Sequence, residues 1–362
     1  MRIKVCSLIT IILVLITEIG VCKETFIFWY NKGVDLYQSG KYKEALDCFD
    51  ETIKLNPEDG DTWYNKAVTL DNLKEYESAI KCYDFAIKYF EPKSAYACYN
   101  KGIDLYNLGK YEDALICYEG SIGLYPADAA AWFNKGVVLY KLGRYNEALL
   151  SFDKVIELNS QDSAAWFNKA MILEKLEKYK EANLSYDEVL KLNPDDQNAW
   201  LNKANALYKL GEYKGAVVYY DAVLRLDHNS PQIWFNKGLA LAMLGSYKES
   251  ISCYDEAIKL NPADYQLWFN KGIDLCKSEE YQEATACFAE ATKLNPEDIN
   301  SYYNQGVALC KLRRYNEAVE CFDKAINLNP AFQQAWYNKA IALQNLGKRE
   351  QANNCFKEAQ RL

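Results

Sequence analysis

The chain repeats itself every 34 residues. Trp29 and Trp63 stand one period apart, and Trp132, Trp166, Trp200, Trp234 and Trp268 continue in register; each is followed by an aromatic residue or Leu and then by Asn-Lys-Gly or Asn-Lys-Ala. No other feature constrains the fold as strongly. A fixed period of this length means that similar supersecondary units bury their faces against their neighbours, so the apolar core runs along the stack instead of surrounding one cleft. Function is then expected on an extended surface.

The register holds to the end of the chain. Cys98 takes the tryptophan position in the third unit, after a one-residue insertion near Phe90-Glu91-Pro92; Tyr302 takes it in the ninth, and Trp336 opens the tenth, so ten units run from about Thr25 to Leu362. Within a unit, Trp29, Gly33 and Leu36 recur at helical spacing and Gly40-Lys41-Tyr42 interrupts them. A second stripe of Ala45, Phe49 and Thr52 follows, with Leu46 and Ile53 beside it, and Leu55-Asn56-Pro57 ends it. Each unit reads as helix, turn, helix. All eight prolines fall at junctions between units, where a missing N–H and a fixed φ stop one helix without damaging the next.

Trp132, Gly136, Leu139, Gly143, Tyr145, Ala148 and Phe152, with Ser160 where a proline usually stands, carry a recognisable pattern. It resembles the tetratricopeptide repeat (TPR) family over nearly the whole chain beyond the first 22 residues. The resemblance implies an all-α fold: a right-handed α-solenoid of about ten helix-turn-helix repeats over residues 25–362, with the first helix of each repeat lining a concave face. Gly136 and Ala148 would let the two helices of a repeat approach closely while Trp132 and Phe152 fill the space around them. One departure is consistent: where the family usually has Leu before the small residue, this chain has Lys, from Lys32 and Lys66 to Lys339, with Gln305 the exception. The residue after each second-helix aromatic is acidic in eight repeats, from Asp50 to Asp323. Each acid is expected to pair with the Lys of the following repeat.

A net charge of −8 and a pI near 5.1 argue against nucleic acid as a ligand, because phosphate binding needs a basic stripe. The single histidine, His228, stands at a junction, so acid-base chemistry built on His has no candidate. Carboxylates lie in repeating rows, as on solvated helix faces, and no glycine-rich phosphate loop, HExxH or GxSxG pattern is present. The chain is read as noncatalytic, with no cofactor and no metal. Cys48, Cys82, Cys117, Cys253, Cys287, Cys321 and Cys355 share one repeat position. Equivalent positions on packed helices are about 10 Å apart, whereas a disulfide needs Cα atoms within about 7 Å, so free, core-facing thiols are expected.

Residues 1–22 stand apart. Arg2 and Lys4 precede an apolar stretch from Val5 to Val21, the pattern of an N-terminal signal peptide or membrane anchor. The chain is therefore expected to be exported or membrane-anchored, outside the cytoplasm, with membrane attachment through this segment.

The concave face carries the functional expectation. The residue after each tryptophan position is Tyr, Phe or Leu, and the next is Asn in all ten repeats. An asparagine row of this kind resembles the ladders with which other superhelical repeat proteins hold the backbone of an extended peptide; an amide offers donor and acceptor to any peptide unit. Asn can equally bond backbone within the stack, and both readings stand open at this point. The candidate peptide-binding residues are Asn134, Asn168, Asn202, Asn236 and Asn270, with Phe133, Phe167, Phe235 and Phe269 as platforms and Lys141, Lys175 and Lys209, alongside Lys277 and Lys311, as a basic patch. Positions that carry Lys, Asn and Arg in the carboxylate-clamping members of the family here carry residues such as Tyr30, Val34, Phe133 and Val137, so a carboxylate clamp is not expected. The expected role is a protein-protein interaction scaffold binding extended peptide segments. The alternative is an accessory subunit of an enzyme or envelope-assembly complex, such as a glycosyltransferase. Partners are other proteins or peptides, with no nucleic acid.

Overall fold

A computed structural model describes residues 23–89 and 94–362. The leader and the insertion near Phe90 lie outside them. Every regular element among the described residues is a helix, and the chain divides into two compact units, one ending at Glu177 and the other beginning at Lys178. The first unit holds α1 (23–38), α2 (Tyr42–Leu55), α3 (Gly60–Asn72), α4 (Tyr76–Tyr89), α5 (Ser94–Asn107), α6 (Tyr111–Leu124), α7 (Ala129–Lys141), α8 (Tyr145–Leu158) and α9 (Ser163–Lys175). The second holds α10 (Tyr179–Leu192), α11 (Gln197–Lys209), α12 (Tyr213–Leu226), α13 (Pro231–Met243), α14 (Tyr247–Leu260), α15 (Tyr265–Lys277), α16 (Tyr281–Leu294), α17 (Ile299–Lys311), α18 (Tyr315–Leu328), α19 (Gln333–Asn345) and α20 (Arg349–Arg361). Odd-numbered helices are the first of each repeat and even-numbered ones the second. None among the described residues is long and apolar enough to cross a membrane.

Local chemistry writes these boundaries. Asp59, Asp128, Asp162, Asp196, Asp264 and Asp298 cap first helices, each carboxylate accepting a backbone N–H two or three residues on. They satisfy donors that a helix start leaves without partners. Each first helix ends on a left-handed residue. In the first repeat, Gly40 N–H donates to the Tyr37 carbonyl and Lys41 N–H to the Leu36 carbonyl, the paired bonds of a glycine-terminated helix. In four repeats Lys74, Glu177, Glu279 and Arg313 hold that conformation without being glycine.

Packing explains the small residue after the Lys. A Cβ added to Gly136 would stand 2.8 Å from the Phe152 ring, so the helices of this repeat can meet only without that carbon. The second-helix aromatics from Phe49 to Phe322 are no more than 2% exposed, and each is enclosed by the small residues around it. The tryptophans have a separate duty. Trp63, Trp132, Trp166, Trp234, Trp268 and Trp336 each donate Nε1–H to the carbonyl six residues earlier, at 2.8 to 3.1 Å, and so tie each first helix to the junction that precedes it.

All eight expected ion pairs form. In the first unit Lys66, Lys101, Lys135 and Lys169 meet Asp50, Asp84, Glu119 and Asp153; in the second, Lys203, Lys237, Lys271 and Lys339 meet Asp187, Asp221, Asp255 and Asp323. Where Ala289 removes the acid, Gln305 donates to the Thr285 carbonyl at 3.4 Å. The last described helix, α20, exposes Arg349, Asn353 and Gln360 while burying Ala352, Cys355 and Ala359.

Candidate functional site

From Asn65 to Asn338 the asparagine row lies half-buried on the first helices, and most of its hydrogen bonds fall into two classes. Where the preceding repeat offers a tyrosine, the amide donates to that hydroxyl: Asn65 to Tyr30, Asn100 to Tyr64 and Asn134 to Tyr99 in the first unit, and Asn338 to Tyr303 in the second, at 2.8 to 3.0 Å. Where it offers phenylalanine, Asn168, Asn270 and Asn304 donate to the carbonyl four residues back in their own helix, each at 2.8 Å. A phenyl ring has no acceptor to offer across the junction.

The ring after each tryptophan position faces two ways. Phe133 meets Phe152 with centroids 5.3 Å apart, Phe235 meets Tyr254 at 5.9 Å and Phe269 meets Phe288 at 6.0 Å. One side of each ring thus completes the core of its own repeat, and the remainder is open; Phe167 is half-buried in the same way. Lys141, Lys175 and Lys209 stand exposed in the last turns of α7, α9 and α11, where they also complement the negative ends of those helices.

The second unit adds a polar cluster that the repeat register alone does not announce. At the position five residues after the tryptophan, nine repeats carry Val, Ile, Met or Leu and the sixth carries Asn205. The buried Tyr220 hydroxyl donates to Asn205 Oδ1 at 2.7 Å, Asn236 Nδ2 reaches the same oxygen at 3.4 Å, and Gln232 Nε2 donates to Asn236 Oδ1 at 2.9 Å. Asn205, Tyr220 and Asn236, with Tyr208, Lys209 and Leu239, line a cavity of about 360 Å³. Burial pushes the Tyr220 hydroxyl well above its usual range, so it stays neutral and donates. The Asn205 amide nitrogen, a donor, has no acceptor among the described residues. A lone amide in an aliphatic row was the signal in the sequence.

The second-helix face also departs from the expected polar surface. Ile116 and Leu150 in the first unit, and Leu184 and Val218 in the second, are 65% to 69% exposed. The same register position elsewhere carries Asp47, Lys81, Ser252, Ala286, Glu320 and Asn354.

The ten described cysteines are free thiols. Burial pushes Cys82, Cys117, Cys253 and Cys287 up to about 11 and Cys321 to about 12, which keeps these thiols protonated and unreactive at neutral pH.

Tetratricopeptide repeat family models match residues 27–59, 48–81, 99–163, 138–196, 167–232, 231–264, 265–298, 299–332 and 321–352. No curated protein matches the chain. Among solved structures, YrrB, described as a TPR protein with an unusual peptide-binding site, is 27% identical over 52% of this chain and 97% of its own, with a TM-score of 0.47. A tetratricopeptide repeat protein from Parabacteroides merdae is 20% identical over 74% and 99%, at 0.49. MamA from Desulfovibrio magneticus is 23% identical over 46% and 94%, at 0.44. With nearly every repeat matched by these family models, the chain belongs to the tetratricopeptide repeat family.

Proposed function

We propose that the chain is a noncatalytic interaction scaffold that captures extended peptide segments along its first-helix faces. The observation that carries this reading is the cluster of Asn205, Asn236 and Lys209 around an open cavity in the second unit, where the repeat pattern alone would place an aliphatic residue. Amides there can bond a peptide backbone whatever its side chains, so capture should be broad in sequence. Asn202 and Asn270 extend the cluster along the second unit; Asn134 and Asn168 offer a shorter stretch in the first. Side chains of the captured segment would rest on the open sides of Phe133, Phe167, Phe235 and Phe269. The exposed ammonium groups of Lys141, Lys175 and Lys209 add a preference for acidic segments that weakens with salt. Export or anchoring through residues 1–22 belongs to the same proposal and rests on Arg2, Lys4 and the apolar run behind them.

The test is capture of an array of labelled peptides of mixed and acidic sequence. Replacing Asn202, Asn236 and Asn270 together by Ala should weaken capture severalfold and leave helicity and melting temperature nearly unchanged. Unfolding of that variant would make these asparagines structural, and unchanged capture would move the ligand to another surface.

A further inference from the structure

Asp71 on α3 and Asp104 on α5 meet across the junction of the second and third repeats, inside the protein. Asp104 is 2% exposed, and its carboxyl faces that of Asp71. Asp71 Oδ2 also accepts from the Tyr83 hydroxyl on α4. Asp71 Oδ1 and Asp104 Oδ2 are buried with no donor from any other described residue. Two carboxylates are acceptors only, so a bond between them needs a hydrogen that one of them carries. No other junction places an acid at both of these register positions: the sixth residue after the tryptophan position is Thr69, Val138, Ile172 or Ala in most repeats, and the eighth is most often Tyr.

We propose that Asp71 and Asp104 share one proton in the folded protein, and that losing it loosens the junction between the second and third repeats, so that the first unit responds to pH. Two carboxylates in contact within the protein cannot both ionise without strong repulsion in a medium that screens it poorly. Burial, reinforced by the contact with Asp71, holds the Asp104 carboxyl up at about 9; burial raises Asp71 as well, opposed by the facing Asp104 carboxyl and the bond from Tyr83. The titratable groups facing the pair are Tyr64 on α3, Cys82 and Tyr83 on α4, and Tyr118 on α6. None of these is a cation, so nothing in this set stabilises a second negative charge.

The response has one direction. An unfolded Asp releases its proton near about 4, whereas the folded pair keeps one until about 9. Between those values the folded chain binds more protons than the unfolded one, so stability falls as pH rises through that window and is fully present below it. At deprotonation the shared hydrogen leaves to bulk base, and two facing carboxylates replace an O–H···O bond. The same junction carries the Asn100–Tyr64 bond of the asparagine row and the Lys101–Asp84 ion pair, so its loosening reaches the first-helix face.

The test uses the full chain and Asp104→Asn, which keeps the size and a donor and has no proton to lose. Between about pH 6 and about pH 10 the wild-type melting temperature should fall by several degrees more than that of the variant. Infrared spectra supply a second readout that needs no unfolding. In an Asp274→Asn background, which removes a second buried carboxyl held by Ser250, the stretch of a protonated carboxyl should persist at neutral pH and vanish on adding D104N. Identical pH profiles in wild type and D104N, or no protonated carboxyl at neutral pH, would overturn the proposal. A stability that rises instead with added calcium or potassium, with no such stretch, would overturn it in favour of a cation between the two carboxylates.

Discussion

A single hydroxyl decides what an asparagine of the row does. Tyr30, Tyr64, Tyr99 and Tyr303 each draw the next repeat's amide across the junction, while Phe133, Phe235 and Phe269 leave it to bond its own helix. Single residues also store local strain. Lys74, Glu279 and Arg313 hold φ at 61°, 64° and 61°, where a Cβ crowds the backbone at a cost of about 1–2 kcal/mol. Replacing each by Gly relieves that strain but adds freedom to the unfolded chain, so the net gain should be up to about 1 kcal/mol per site. Urea titration of the triple variant checks it; a loss of stability would show that these side chains hold their turns by contacts of their own. The Lys row and its acids could be read from the sequence because both sit at fixed register positions in the repeat. The choice of partner made by each asparagine could not, because it depends on where a hydroxyl 35 or 36 residues earlier comes to rest.

Helices and their junctions were the most legible elements. The Gly-centred turns and junction prolines are local signals, and they mark boundaries that the structure shows. The tryptophans were read only as filling, since an indole bond to the carbonyl six residues earlier is a tertiary fact of the junction. Asn205 was legible only as an exception to its own row, and the cavity beside it arises from packing that the period does not encode. At the junction where Ala289 and Gln305 stand, the missing pair offers a clean experiment. Ala289→Asp with Gln305→Lys should restore the ion pair seen at the other eight junctions. Lys271 and Lys339, the neighbouring examples, are 19% and 17% exposed, so a coupling of about 0.2–1 kcal/mol is expected from a double-mutant cycle. A coupling of zero or of the opposite sign would show that the ion pairs set register without contributing stability.

At the scale of the molecule, each unit is a run of nearly equivalent contacts. Glu119 meets Lys135 as Asp153 meets Lys169, and Asp128 caps α7 as Asp162 caps α9, so each of these repeats offers its successor the contacts that it receives from its predecessor. The coding consequence is that length is negotiable in steps of one whole period. Excision of residues 129–162 would bring Asp128 before Ser163, set Glu119 against Lys169, and offer Asn168 the Tyr99 hydroxyl that Asn134 now uses. The shortened chain should keep the same helical signal per residue and melt cooperatively, with a lower melting temperature because one set of junction contacts is gone. Recombination between the near-copies inside such a gene would therefore yield folded proteins of different reach, with the first-helix face lengthened or shortened by whole rungs.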